Sequence, residues 1–387
     1  MSSNFNFDIL PNRENTGSLK WEKYKSSILP MWVADMDFEA APEIINALKT
    51  RINHKIFGYT IPYHSVIESI ICYLKSEHQY HIEKNYIKFL PGLVPAINLC
   101  CRAFSQPNES IMIATPVYPP FIHAPKYANR ELISTPLMLE NNSKWTFDFE
   151  LMENSIKQNT KIFILCNPHN PTGRVYSKTE LNELAAFCIR HDLILISDEI
   201  HCDLIFDISC KHTVAASISD ELENRTITLM SPSKTYNIPG LSCAYSIIKN
   251  PELRHRFDIE SRGIITEINC FGYVACEAAY NHGSLWRKEM IRYLNNNYNL
   301  IKDYLSKCIP EIKLMKMEAT YLAWLKVDDL PIKNTAKFFE EHGVGLSDGA
   351  AFGDPKYLRF NFGCSKHRVL EALERMHQGI VKEKLQT

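Results

Sequence analysis

Five short β-rich runs, YIKFL, SIMIAT, KIFILCN, LILISDE and TITLMS, alternate with longer segments of helical pattern between about residues 44 and 279. Strand–helix alternation of this kind predicts an α/β fold, a mainly parallel sheet covered by helices. One unit reads closely. KIFILCN runs into the loop PHNPTGRVY, Ser177-Lys178-Thr179-Glu180 forms a capping box that opens the helix ELNELAAFCIRHD, and LILISDE follows as the next strand. From Trp286 onward the pattern changes to a long polar helix around MIRYLNNNYNLIKDYL and then to EATYLAWLKV and YLRFNFG as strands. No linker, low-complexity block or fixed-period repeat separates the parts, so the domains are expected to interleave. Residues 45–285 are predicted to build the large domain, and residues 1–44 with 286–387 a smaller α+β domain.

The chain has 387 residues, 45% of them hydrophobic and 22% charged, enough for a substantial core and against disorder. Its formal charge of -1 leaves no basic surplus for phosphate backbones or acidic lipid, so no nucleic-acid partner is expected and a small-molecule substrate is. Twelve cysteines without a C-x-x-C pair, and a start MSSNFNFDIL that lacks a basic, then apolar, secretory pattern, predict reduced thiols and a cytoplasmic protein. Cys100 and Cys101 are expected as buried small hydrophobes. No apolar run approaches the roughly 20 residues of a membrane span.

In an open α/β sheet, ligands gather beyond the carboxyl ends of the strands, so the residues after each run belong together. YIKFL is followed by Pro91-Gly92-Leu93-Val94, with a helix expected near Pro95 whose free N–H groups suit a phosphate. SIMIAT leads to Tyr118, KIFILCN to Asn170, LILISDE ends at Asp198, and TITLMS leads to Lys234 within SPSKTYNIPGL. A phosphate nest, an aromatic plate, an amide, a carboxylate and a lysine are the parts that hold pyridoxal 5′-phosphate. In that reading Lys234 links covalently to the coenzyme, Asp198 keeps the ring nitrogen protonated, Asn170 bonds the ring oxygen, Tyr118 stacks on the ring, and Ser231 and Ser233 give hydroxyls to the phosphate. His201, three residues after Asp198, is placed to contact that carboxylate; no second ligand pair lies at metal-binding spacing, so no metal is expected.

With these residues in view, the chain resembles the fold-type I pyridoxal phosphate enzymes of the class I/II aminotransferase superfamily, and most closely the MalY/PatB-type carbon–sulfur β-lyases. The resemblance runs almost end to end, through PMWVADMDF, FGYT, LPGLVPAI, PVYPPF, CNPHNPTGR, SDEIHCDL, SPSKTYNIPGL, EATYLAWL and LRFNFGCS. It implies a PLP-dependent transferase-like fold and cleavage of L-cystathionine or a related cysteine thioether to a thiol, pyruvate and ammonia. It also implies that Arg359 and Asn170 bind the substrate, Arg359 by a planar two-bond grip on its carboxylate. Tyr59 of FGYT resembles a tyrosine that reaches the phosphate in the neighbouring subunit, which implies a homodimer with shared sites. One departure stands out: where many aminotransferases carry a phosphate-pairing arginine a few residues after the lysine, this chain reads GLSCA. The positive charge then comes from elsewhere, or the helix terminus carries more of the task.

On this reading Lys234 removes the substrate α-proton and Tyr118 protonates the leaving sulfur. An aminotransferase on the same fold is the nearest rival, and a regulatory or binding protein that keeps the fold is another, although intact Lys234, Asp198 and Arg359 argue against lost chemistry. Asp198-Glu199-Ile200-His201 spells a helicase-like DExH box, but no Gly-rich loop ending in Gly-Lys accompanies it. GVGLSDG, at Gly343 to Gly349, follows a helix and has the wrong last interval for a dinucleotide site, so Gly343 reads as a helix cap.

Overall fold

The computed structural model describes residues 5–9, 11–141 and 143–386. The five expected runs form β1 (Ile87–Leu90), β2 (Ser110–Thr115), β4 (Thr160–Cys166), β5 (Ile194–Asp198) and β6 (Thr226–Met230) of the large sheet, and two strands outside those runs, β3 (Glu131–Pro136) and β7 (Ala244–Ile247), complete it. Their spatial order is β1-β7-β6-β5-β4-β2-β3, and β7 alone runs against the rest. β6 is buried at every position and β4 and β5 at nearly every one, which is why these strands read as continuous apolar runs rather than alternating ones.

Register sets up the site. Cys166 pairs with Asp198 and Asp198 with Leu229, while Tyr245 pairs with Met230 and Ala244 with Leu90. The ends of β1, β4, β5 and β6 and the start of β7 are therefore level, and the segments attached to them open along one edge of the sheet. The helix α1 (Leu93–Phe104) starts at that edge, two residues earlier than the expected Pro95, because a proline in the first turn lacks only an N–H that has no intrahelical partner there. The helix α2 (Lys178–Arg190) has the expected capping box, with Ser177 and Glu180 each accepting from the other's backbone N–H.

The second sheet joins β8 (Lys313–Leu314), β9 (Leu322–Lys326), β10 (Ser347–Asp348) and β11 (Tyr357–Asn361), in the antiparallel order β8-β9-β11-β10. The long helix α3 (Ser284–Cys308) packs on β8 and on the C-terminal α5 (Lys366–Gln386), and the short α4 (Thr335–Glu341) packs with α5 on Val344–Gly345. Leu29–Pro30 pairs in parallel with Val344–Gly345, which ties the N-terminal segment to this part of the chain. The strand expected from EATYLAWLKV begins only at Leu322. Its first residues are diverted: the Glu318 and Ala319 N–H groups donate to the Gly173 carbonyl, and Thr320 sits at φ 75°. Gly343 follows α4 at φ 84°, in the left-handed cap position expected of it. Cys100 and Cys101 are both buried, and all twelve cysteines are free thiols. Among the described residues no helix is long and apolar enough to cross a membrane.

Candidate active site

The level strand ends enclose a cavity of about 200 Å3 lined by Gly92, Leu93, Val94, Tyr118, Asn170, Asp198, His201, Ser231, Ser233 and Lys234. The structure thus brings together ten of the residues singled out above. Arg359, on β11, stands behind Asn170: its Nη1 donates to Asn170 Oδ1 at 3.0 Å and its Nη2 to the Trp32 carbonyl at 2.9 Å. Tyr59 is different. It is fully exposed and takes no part in the cavity of its own chain.

Lys234 Nζ donates to the Ala34 carbonyl at 2.7 Å. Burial lowers its amine to about 8, with Arg359 adding in the same direction against the attraction of Asp35 and Asp198. Asp198 is shifted the other way, up to about 7, chiefly by burial and further by Glu199, against the Ile200 N–H that donates to Oδ1 at 3.1 Å. A buried lysine and a buried acid thus titrate within the neutral range in one cavity, a pattern that marks functional sites. Burial also lowers His201 to about 3, so its imidazole is neutral, and its Nδ1 is buried without a hydrogen-bond partner among the described residues. Arg359 is lowered to about 10 by burial, and its Nε likewise lacks a partner there. Burial, first of all, raises the Tyr118 hydroxyl, which keeps it a proton donor at neutral pH.

Among the cavity residues given no role from the sequence, Ala34, Cys166 and Ser242 neighbour the lysine, the acid or the anion site. Ala34 belongs to the segment 31–38, which is distant in sequence and is pinned over Lys234 by Asn237, whose side chain bonds Met36 and Phe38, and by Asn361, which donates to the carbonyl of Asp35 at 2.9 Å. Cys166 looked like the last residue of a strand. Ser242 lies inside GLSCA, where the phosphate-pairing arginine is missing; it lines the cavity with φ 52°, a left-handed backbone rarely adopted by serine. Among the described residues no arginine or second lysine lines the cavity. The start of α1 and the hydroxyls of Ser231, Ser233 and Ser242 are what it offers an anion. The Ser231 hydroxyl is already engaged, donating to the Cys243 carbonyl at 2.7 Å and accepting from the Ser233 N–H at 3.1 Å.

Asn170 is held by its loop. Arg174 reaches back from it to a buried ion pair with Glu318, at 2.8 and 2.7 Å, and to Glu180 at 2.7 Å. Removing Arg174 leaves Glu318 buried without its cation, so Arg174→Ala is expected to cost about 3–5 kcal/mol of stability, read as a large fall in the thermal or urea midpoint. A nearby cluster of His78, Cys202 and Asp203 has ligand-like atoms, but Arg287 donates to Asp203 at 2.7 Å and supplies the positive charge that a metal would bring.

The donor set fits pyridoxal 5′-phosphate. A primary amine lies in the cavity with an acid that has no ion-pair partner among the described residues, and a 12-residue helix begins at the wall near three serine hydroxyls. The orphaned His201 Nδ1 and Arg359 Nε are buried polar atoms that a polar ligand would satisfy.

Comparison with known proteins agrees with this geometry. The model of the family "Aminotransferase class I and II" matches residues 28–376. Cystathionine β-lyase PatB of Bacillus subtilis (strain 168) is 36% identical over 383 residues, covering 96% of this chain and 98% of the relative. Protein MalY of Escherichia coli (strain K12) is 30% identical over 380 residues, covering 94% and 96%. The solved structure of cystalysin from Treponema denticola, which contains a pyridoxal 5′-phosphate cofactor, superposes with a TM-score of 0.94 at 34% identity over 98% of this chain and 99% of that one. The chain belongs to the class I and II aminotransferase family, on the side of it where the PatB- and MalY-type proteins lie.

Proposed function

We propose that the protein is a pyridoxal 5′-phosphate-dependent carbon–sulfur β-lyase. It takes L-cystathionine or a related cysteine thioether and one water to a thiol, pyruvate and ammonia. The observation that carries the reading is the pairing, in one cavity, of a lysine amine lowered to about 8 with a buried acid raised to about 7. Similarity to cystathionine β-lyase PatB supports elimination over transamination.

When bound, the coenzyme supplies an aldehyde to take up amines and a protonated ring that withdraws electrons from the substrate α-carbon. The chain's own residues do the rest. Asp198 holds the proton at the ring nitrogen. The start of α1 with Ser231 and Ser233 receives the phosphate, and Tyr118 covers the ring. Asn170 uses Oδ1 on Arg359, which leaves its Nδ2 to donate to the ring oxygen. Arg359 binds the substrate carboxylate, its unpartnered Nε providing one arm of the grip. Lys234, uncharged above about pH 8 in the free protein, takes the α-proton, and the Tyr118 hydroxyl gives a proton to the departing sulfur. A thiol leaves as its anion far more easily than an alcohol because it is the stronger acid.

Several organisational readings go with this one. A large domain over 45–285 and a small one from 1–44 and 286–387 are supported by the separation of the seven-stranded sheet from the four-stranded one. A homodimer is supported by the segment around Tyr59, where Ile56, Phe57 and Ile61 are also exposed, a hydrophobic stretch that a second copy would cover; Tyr59 would then reach the partner's phosphate. A cytoplasmic setting is supported by the twelve free thiols.

The deciding experiment incubates the purified, coenzyme-loaded protein with L-cystathionine, with and without a 2-oxo acid acceptor. Pyruvate and ammonia forming in equal amounts without the acceptor are expected. Product that appears only when an acceptor is present would instead establish a transaminase.

A further inference from the structure

Beyond the cavity lies a second and larger chamber, about 540 Å3, that shares Tyr118 with it and has Arg359 in its wall. Its position follows from the two tyrosine-facing spaces. A substrate whose carboxylate rests on Arg359, and whose sulfur lies at Tyr118, has this chamber next to it for the atoms beyond the sulfur. The chamber belongs to the N-terminal segment and to α4 and β10, none of which contributes a residue to the coenzyme cavity apart from the neighbouring Ala34.

Its chemistry is uneven. Two aromatic rings, Tyr24 and Trp32, meet edge to face at 6.4 Å, and Phe352 lies in the floor beneath the Arg359 guanidinium, 4.6 Å from it. Both rings of the first pair are fixed in place. The Trp32 indole N–H donates to the Lys20 carbonyl at 3.1 Å, and the Tyr24 ring lies so close over Gly345 that a Cβ there would come within 2.3 Å of it. Four charged side chains besides Arg359 reach the chamber. Lys337 pairs with Glu341 at 3.7 Å and Asp348 accepts from the Ala350 N–H, so both are engaged. Lys23 and Glu340 are not: neither has a hydrogen bond or an ion pair closer than 4 Å among the described residues. Lys23 instead lies on the aromatic pair, its Nζ 3.9 Å from the Trp32 ring and 4.8 Å from that of Tyr24. The Glu340 carboxylate is near enough to act on both Lys23 and Tyr24, and burial together with Glu340 pushes the Tyr24 hydroxyl up to about 12, so it remains a donor.

A cation and an anion that face one chamber without closing on each other can hold a ligand that carries both charges. We propose that Lys23 and Glu340, with Tyr24 between them, are specificity-determining residues that bind the amino-acid end of the departing thiol, Lys23 taking its carboxylate and Glu340 its ammonium. This rests on the β-lyase reading and adds to it the residues that choose among thioethers. The departing halves of L-cystathionine and of S-ethyl-L-cysteine leave by the same chemistry, the Cβ–S bond breaking and the sulfur taking a proton. They differ in that only the first ends in a zwitterion.

The test measures pyruvate release from L-cystathionine and from S-ethyl-L-cysteine by the holoenzyme and by Lys23→Met and Glu340→Gln. Each lost charge-assisted contact at a partly exposed site is expected to lower kcat/KM for L-cystathionine about tenfold, mainly through KM, while S-ethyl-L-cysteine stays within about twofold. Raising the ionic strength should weaken L-cystathionine use by the wild type and leave both variants nearly insensitive. Equal effects on the two substrates, or no effect on either, would overturn the assignment while leaving the β-lyase reading intact. Absence of pyruvate from both substrates with the wild type would remove the β-lyase reading and this assignment with it.

Discussion

Lys234→Ala is expected to lower pyruvate formation from any cysteine thioether by roughly 10⁴-fold or more, because the substitution deletes both the covalent anchor and the base for the α-proton. Lys234→Arg should fail as badly. It keeps a long cationic side chain, but its guanidinium stays protonated at every working pH and cannot take a proton. The comparison separates lost chemistry from lost packing, as does the melting temperature. Burial has already lowered the Lys234 amine to about 8 from the usual 10.5, so the folded state holds this proton less well than the unfolded one. The charge is therefore a cost to folding at pH 7, and its removal in Lys234→Ala should leave the midpoint of the coenzyme-free protein unchanged or higher. In the coenzyme-free wild type the rate at which the Lys234 amine combines with an added aldehyde should rise with pH through about 8, where an ordinary lysine would rise near 10.5. A midpoint near 10.5, or full activity in the alanine variant, sinks the assignment.

The second large effect is at Asp198. Asp198→Asn preserves shape and removes the charge that keeps the ring nitrogen protonated, so turnover is expected to fall by about 10²–10³-fold or more. Coenzyme affinity supplies an independent readout, measured by equilibrium dialysis. Burial has raised the Asp198 carboxyl to about 7, so in the free protein it becomes neutral as the pH falls through that value. Affinity of the wild type for the coenzyme should therefore weaken below about pH 7, and the asparagine variant should bind weakly with no such inflection. An inflection that survives in Asp198→Asn would assign the titration to another group.

The extent to which the site could be read in the sequence followed one rule of geometry. Asp198 ends a strand of a mainly parallel sheet and Lys234, Asn170 and Tyr118 each follow one, and strands that share a direction deliver these residues to a common edge. The capping box at Ser177 and Glu180 and the left-handed Gly343 were readable for a similar reason, since both are settled within a few residues of chain. The start of α1 was placed two residues late because the proline was taken for the first helical position when it stands in the third.

What stayed hidden depends on partners far away in the chain. Nothing local to Ala34 says that its carbonyl will accept from a lysine 200 residues on. EATYLAWLKV reads as a strand throughout, yet its first residues lie outside the strand, where Glu318 meets the buried guanidinium of Arg174, a partner 144 residues away in sequence. The strand runs, the mainly parallel direction and the local caps are written in periodicity and in residues close in sequence, and these the amino-acid sequence determined by itself; strand order, register and the reversed β7 came from the tertiary structure. Burial decided the rest. Only in the packed molecule are Lys234 and Asp198 stripped of water enough to titrate near neutrality, and only there do Lys23 and Glu340, more than 300 residues apart, face a single chamber.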